Sequence, residues 1–145
     1  MKKQNYECSI TANTSAHQAF ESINRVNEWW VKNIEGRSEK QNDVFTVHFS
    51  GDIFVTFRIT ESVADKKVEW HVTDCYLPWL KDKTEWNNTD VVFEIVPEND
   101  STKINLTHVG LVPEVECYDG CVKGWEQYFK GSLLQLLTTG KGEPS

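Results

Sequence analysis

The sequence lacks the long apolar stretches and the leader that place proteins in or across membranes. Residues 1–15 include two lysines but no apolar core of a secretory signal peptide. No run approaches the roughly 18 apolar residues of a membrane-spanning helix. We therefore expect a cytoplasmic protein without membrane insertion.

Clusters of basic residues are also missing. The formal net charge is −7, and Lys81 and Lys83 are separated by Asp82, while Lys2 and Lys3 form only a terminal pair. An acidic surface repels phosphate backbones and anionic lipid surfaces. We expect no nucleic-acid partner.

Motifs for metals, cofactors and nucleophilic catalysis are absent. The chain has no paired C-x-x-C, no H-E-x-x-H, no phosphate-binding or dinucleotide-binding glycine motif and no G-x-S-x-G. We expect no metal and no cofactor, and no catalytic set is assigned. The four cysteines, Cys8, Cys75, Cys117 and Cys121, are predicted to be free thiols, because the cytoplasm is reducing.

Apolar and aromatic residues are present in the amount that one folded domain needs. Of the 145 residues, 39% are apolar, and these include six tryptophans and seven phenylalanines. A chain of this length buries roughly two-thirds of its unfolded surface without help from a disulfide or a metal. We predict a single domain over residues 1–145.

Alternating apolar residues predict a series of strands joined by short turns. The first strand ends near Ala12, a short helix runs to about Asn24, and Val26, Trp29 and Trp30 indicate a further helical turn or two. Strands follow over residues 43–50, 53–63, 68–73, 90–96 and 102–109, with turns at 51–52, 65–67 and 97–100 and a polar, aromatic loop over 74–88. Short connections require antiparallel pairing. The fold class is therefore α+β.

The apolar period changes after Pro113 and indicates one long amphipathic helix. Its apolar residues recur at three- and four-residue steps, and it is predicted to begin between Pro113 and Gly120 and to end at Gly140. Gly120, Gly124 and Gly131 lie inside it, at a cost of up to about 1 kcal/mol each relative to alanine. They indicate either close approach of another backbone or space left for something else.

Several side chains have both a chemical and a structural interpretation. His108, at the end of the last strand, is either a general base or ligand contact, or a hydrogen-bonded structural histidine. Cys117 and Cys121 are one helical turn apart and are a redox pair, soft metal ligands or small apolar residues that face the sheet. Glu85 and Asp90 are either an acid–base pair or a solvated loop edge.

The tryptophans are numerous for this length and either line a pocket or fill the core. They are Trp29, Trp30, Trp70, Trp79, Trp86 and Trp125. Large rings can orient an apolar ligand as well as pack an interior.

With these elements in order, the chain resembles the START-related superfamily, also called SRPBCC, with its Bet v-like helix-grip fold. It is most similar to the branch named after the activator of the heat-shock-protein-90 ATPase. The resemblance covers nearly the whole chain, and the residues that carry it are Phe20, 26–30, 68–70, 85–86, 91–95, 102–118, 124–125 and 132–134.

The resemblance implies a curved antiparallel sheet of six to seven strands around the C-terminal helix, with a hydrophobic cavity between them. We expect the chain to bind a small apolar or amphipathic ligand there. The predicted lining is Phe57, Trp70, Val72, Phe93, Leu106, His108, Cys121, Trp125 and Phe129, with Trp29, Trp30 and Trp79 at the mouth. The alternatives are a cyclase, dehydratase or hydrolase that uses the same cavity, and a regulator of a chaperone ATPase. A chaperone or a second copy of the chain is a possible partner.

Overall fold

The computed structural model describes residues 5–49 and 51–144. In this part of the chain, the elements follow the order predicted from the sequence. They are β1 (Tyr6–Ala12), α1 (Ala16–Asn24), α2 (Val26–Trp29), β2 (Ile34–Gly36), β3 (Val44–His48), β4 (Phe54–Val63), β5 (Lys67–Tyr76), β6 (Asp90–Glu98), β7 (Ser101–Val109), α3 (Tyr118–Trp125), a π-helical segment (Glu126–Leu133) and α4 (Leu134–Thr139).

The described strands form a seven-stranded antiparallel sheet in the order β1-β7-β6-β5-β4-β3-β2. The pairing of β4 with β5 shifts register between Thr56 and Phe57 and again between Ile59 and Glu61. Such bulges bend a strand and increase its twist. The bends curl the sheet toward its apolar face, and the helices cover that face. This confirms the helix-grip fold.

The buried face of the sheet follows the predicted alternation. Val55, Phe57 and Ile59 of β4 are buried, and so are Val68, Trp70 and Val72 of β5. Trp70 lies at the centre of an aromatic cluster with ring-centroid distances of 4.8 Å to Phe93 and 5.1 Å to Phe45. This half of the sheet is solidly packed.

The C-terminal helix runs from Tyr118 to Thr139 and ends at Gly140, whose φ of +83° is the left-handed conformation of a helix C-terminus. Both ends agree with the sequence. The π-helical segment in the middle was not predicted, because its apolar residues keep the spacing of an ordinary α-helix. Short π segments are rare and widen the helix locally. No helix in residues 5–49 or 51–144 has the length and apolar character needed to cross a membrane.

Some boundaries differ from the predictions. β5 continues to Tyr76, and β6 includes Pro97 and Glu98, which the sequence indicated as a turn. Pro97 pairs with Thr102 in a hairpin that tightens only at Asn99, a residue with positive φ. The predicted strand end at Ser50 and the tail residue Ser145 lie outside the described residues.

Candidate functional site

An aromatic pocket of about 450 Å³ lies at one end of the sheet, beside the first turns of the C-terminal helix. Its walls come from the end of α2, the β3–β4 hairpin, the loop between β5 and β6 (residues 77–89) and the helix. The lining residues are Trp30, Phe49, Ile53, Val55, Leu77, Trp79, Trp86, Gly120, Cys121, Gly124, Trp125 and Tyr128. Trp79 is 59% exposed, which places it at the mouth.

Two glycines leave the helical wall of the pocket open. A Cβ atom built at Gly120 or Gly124 would have no described atom within 4 Å. The interpretation of these glycines as points of close backbone approach is therefore wrong, and they leave space instead. At Gly131, outside the pocket, the nearest atom to such a Cβ would be the carbonyl oxygen of Glu126, at 3.8 Å.

The tryptophans divide between pocket and core. Trp30, Trp79, Trp86 and Trp125 line the pocket, whereas Trp29 and Trp70 are fully buried elsewhere. The indoles of Trp86 and Trp125 are stacked with centroids 6.2 Å apart, and Trp30 lies 5.1 Å from Trp125. The two interpretations of the tryptophan set each describe part of it.

His108 is buried directly behind this aromatic wall and positions Trp125. The indole Nε1–H of Trp125 donates to Nδ1 of His108 over 3.1 Å. Nε2 lies 3.0 Å from Oγ1 of Thr89, whose hydroxyl already donates to the carbonyl oxygen of Trp86. Nε2 must therefore carry the proton and donate to Thr89, while Nδ1 accepts. Both nitrogens of the neutral imidazole are thus used.

Burial keeps this imidazole neutral. Loss of hydration lowers the pKa of His108 from 6.5 to about 3. A proton on Nδ1 would also replace the acceptor that Trp125 needs. Because both nitrogens are satisfied and His108 does not line the pocket, its geometry favours the structural interpretation over the general base.

Cys117 and Cys121 form a disulfide across one helical turn, so the prediction that all four cysteines are free thiols is wrong. The helix places their Cα atoms 5.7 Å apart, within the usual span of a disulfide. Cys8 and Cys75 are free. The indole Nε1–H of Trp86 lies 3.2 Å from the sulfur of Cys117 and 3.3 Å from that of Cys121.

The carboxylate of Glu85 attaches the loop of residues 77–89 to the start of the helix. Its two oxygens accept the backbone N–H groups of Glu116 and Cys117 at 2.8 and 3.2 Å. In return, the carboxylate of Glu116 accepts the N–H of Lys81 at 2.9 Å. Asp90 instead contacts Nδ1 of His71 at 2.7 Å. Glu85 and Asp90 thus serve different partners, and their geometry does not resemble an acid–base pair.

The residues predicted to bind ligand separate into two groups. Trp30, Trp79, Cys121 and Trp125 line the pocket. The others are fully buried in the packed interior and are not among its lining residues; they are Trp29, Phe57, Trp70, Val72, Phe93, Leu106, His108 and Phe129.

The lining residues absent from the prediction cluster at the end of the sheet rather than at its centre. They include Phe49 and Val55, which share the buried face with Phe57, and Trp86. The one-turn spacing of Gly120 and Gly124, together with the aromatic loop, was the available signal. The sequence could not show that Phe129 and Leu133 fill the middle of the sheet.

The chemistry of the pocket is dominated by apolar surface. Its lining includes no carboxylate, imidazole or amine from the described part of the chain. Within residues 5–49 and 51–144, no group of three or more histidine, cysteine, aspartate or glutamate side chains is placed to bind a metal ion. The site can bury a hydrophobic molecule, and it presents little for acid–base catalysis.

Solved structures with the same fold come from several sources. The chain superimposes on the solution structure of the Aha1 dimer from Colwellia psychrerythraea with a TM-score of 0.78 and 20% identity, over 96% of this chain and 99% of that one. DynU16, a protein of the dynemicin biosynthetic locus, gives 0.71 and 12%, over 97% of this chain and 49% of that one. CalU16 from Micromonospora echinospora gives 0.66 and 12%, over 99% and 88%. At these identities the likeness shows the fold.

The family assignment comes from the sequence. A comparison with curated proteins finds no match. The profile of the family described as activator of Hsp90 ATPase homolog 1-like protein matches residues 16–138, which is most of the chain and includes the pocket helix up to its last residues. The chain therefore belongs to the family of activator of Hsp90 ATPase homolog 1-like proteins.

Proposed function

We propose that the chain binds a small apolar or amphipathic molecule in the aromatic pocket. The observation that carries this proposal is the open space beside Gly120 and Gly124, where a helix that packed directly on the sheet would place side chains. A volume of about 450 Å³ falls within the range of small-molecule sites.

The lining explains what kind of ligand would bind. Trp30, Trp86 and Trp125 offer flat apolar surfaces, and burial of each ligand methylene contributes about 0.8 kcal/mol before the costs of association. The exposed indole of Trp79 lies at the boundary with solvent, where a polar end of the ligand can remain hydrated. DynU16, which shares the fold, is a protein of a biosynthetic locus, and this agrees with a role in handling a small molecule.

A substitution that fills the pocket without weakening the helix tests the proposal. Gly124→Leu adds an isobutyl group in the open space, and leucine is a better helix former than glycine by up to about 1 kcal/mol. Binding of Nile red, an uncharged apolar dye, is measured by its fluorescence. We expect the dissociation constant of Gly124→Leu to rise at least about tenfold, equivalent to about 1.4 kcal/mol.

The matched control is Gly131→Leu, which makes the same change at an exposed position of the same helix outside the pocket. We expect this variant to bind the dye like the parent protein. Failure of the parent protein to bind Nile red, or equal loss of binding in both variants, would contradict the proposal.

Self-association is a second candidate property. The similar Colwellia psychrerythraea structure is a dimer, and Trp79 is a large apolar side chain left in solvent. Sedimentation velocity over a range of protein concentrations tests this. A dimer that Trp79→Ser dissociates would support it, and a monomer at every concentration would remove it.

A further inference from the structure

The disulfide between Cys117 and Cys121 has one buried and one accessible sulfur. Cys117 is buried, whereas Cys121 is half-buried and lines the pocket. A reagent that enters the pocket therefore meets the sulfur of Cys121 first. In thiol–disulfide exchange, the sulfur that can be reached determines where attack occurs.

This disulfide does not connect separate parts of the fold. It joins residues four apart in sequence at the start of α3. In the chain-entropy account, the stabilisation from a disulfide falls as the loop it closes becomes shorter. A bond between consecutive turns of one helix is thus a weak staple, which favours a role other than stabilisation.

The sulfurs are instead connected to the pocket wall. The indole N–H of Trp86 is shared between both sulfurs, and the ring of Trp86 forms part of the lining. The neighbouring Glu85 binds the backbone N–H groups of Glu116 and Cys117. Any movement of the two sulfurs therefore acts directly on the loop of residues 77–89.

We propose that Cys117 and Cys121 form a thiol–disulfide exchange site that opens onto the pocket and reacts with dithiols, and that its redox state sets the position of Trp86. The exchange site stands independently of ligand binding. Its effect on ligand affinity rests on the proposed function of the pocket.

The reaction is a two-electron reduction. A thiolate of the dithiol attacks the sulfur of Cys121, the bond between Cys121 and Cys117 breaks, and Cys117 leaves as a thiolate that takes a proton from solvent. The second thiolate of the dithiol then attacks the reagent sulfur of the mixed disulfide. Cys121 is released and protonated, and the dithiol becomes a cyclic disulfide.

Reduction changes the support of Trp86. The two thiols separate to ordinary van der Waals contact, so the indole N–H can no longer donate to both sulfurs in the same geometry. A disulfide next to an indole also quenches its fluorescence by accepting an electron from the excited ring. We therefore expect reduction to increase the fluorescence of Trp86, and the Trp86→Phe variant to lose most of this increase.

The rate of reduction in the folded protein tests the exchange site. The protein is incubated with dithiothreitol, trapped with iodoacetamide and digested for mass analysis. Cys75 is a buried free thiol and serves as an internal reporter of unfolding. We expect Cys117 and Cys121 to be alkylated well before Cys75. Alkylation of all three at one rate would show that reduction needs unfolding and would overturn the proposal.

A second measurement separates the pocket from the exchange site. Nile red at about ten times its dissociation constant should slow the reduction about tenfold, because only empty pockets react. If the dye binds and the rate is unchanged, access through the pocket is wrong. If the dye does not bind, the ligand proposal fails, and the alkylation experiment without dye still decides the exchange site.

The link between redox state and ligand is tested with the double variant C117S/C121S, which imitates the reduced pair. We expect its dissociation constant for Nile red to differ from that of the oxidised protein by about threefold or more. Equal affinities would overturn the proposed effect on the pocket.

Discussion

At the scale of single residues, His108 links the sheet to the pocket wall. It is buried at the end of β7, accepts the N–H of Trp125 and donates to Thr89. This network orients the Trp125 ring without presenting a reactive group to the pocket. The imidazole must remain neutral for the network to exist.

The pH dependence of stability should report this histidine. Its pKa is about 3 in the folded protein and 6.5 when hydrated, so between these values only the unfolded chain binds the proton. Stability is therefore complete above about pH 6.5 and is lost progressively as the pH falls toward 3. From this group alone, the folded state should lose about 2 kcal/mol between about pH 7.5 and pH 5.

Comparison with His108→Gln isolates this contribution from that of the carboxylates. Glutamine can hydrogen-bond and does not titrate, so urea denaturation of the variant should show a smaller loss between the two pH values. Equal losses in the two proteins would mean that His108 is hydrated or charged in the folded state.

Residue chemistry was the least predictable level from the sequence. The types and spacing of Cys117 and Cys121 were visible, but the prediction of free thiols depended on an assumed reducing environment. Likewise, His108 could be recognised as buried or catalytic only when the partners of both ring nitrogens were known. Thr89 and Trp125 are 19 and 17 residues away in sequence.

At the scale of elements, the loop of residues 77–89 and the start of α3 form one unit. Glu85 accepts two backbone N–H groups ahead of the helix, and Glu116 accepts one from the loop. Because hydrogen bonds to charged groups are stronger than neutral ones, this contact determines how firmly the loop closes the pocket.

Removing the Glu85 carboxylate should loosen this unit while leaving the sheet intact. We expect Glu85→Ala to lower the free energy of unfolding by about 1–3 kcal/mol and to speed hydrogen exchange at the amides of Glu116 and Cys117. The exposed Glu114→Ala is the control and should change neither quantity. Unchanged exchange in Glu85→Ala would show that the loop is positioned by its apolar side chains alone.

Element types and order were predictable because they depend on periodicity within one segment. Alternation identified β3 to β7, and glycine at 140 marked the end of the last helix. The π-helical segment escaped detection, since a single additional residue in one turn leaves the pattern of Phe129 and Leu133 nearly unchanged.

At the scale of the whole molecule, the pocket results from unequal packing of one helix across one curved sheet. Phe129 and Leu133 fill the centre, while Gly120 and Gly124 leave the end open. Family resemblance predicted a cavity between helix and sheet. Its position at the end of the sheet depends on contacts between distant segments, which explains why the predicted lining included so much of the packed core.

The most direct test of ligand binding in this pocket is the behaviour of the six tryptophan indole N–H signals in a proton–nitrogen correlation spectrum. On addition of naphthol, a small uncharged aromatic alcohol, the signals of Trp30, Trp79, Trp86 and Trp125 should shift, and those of Trp29 and Trp70 should stay in place. Shifts confined to the exposed Trp79, or shifts of all six signals together, would contradict a ligand site at the end of the sheet.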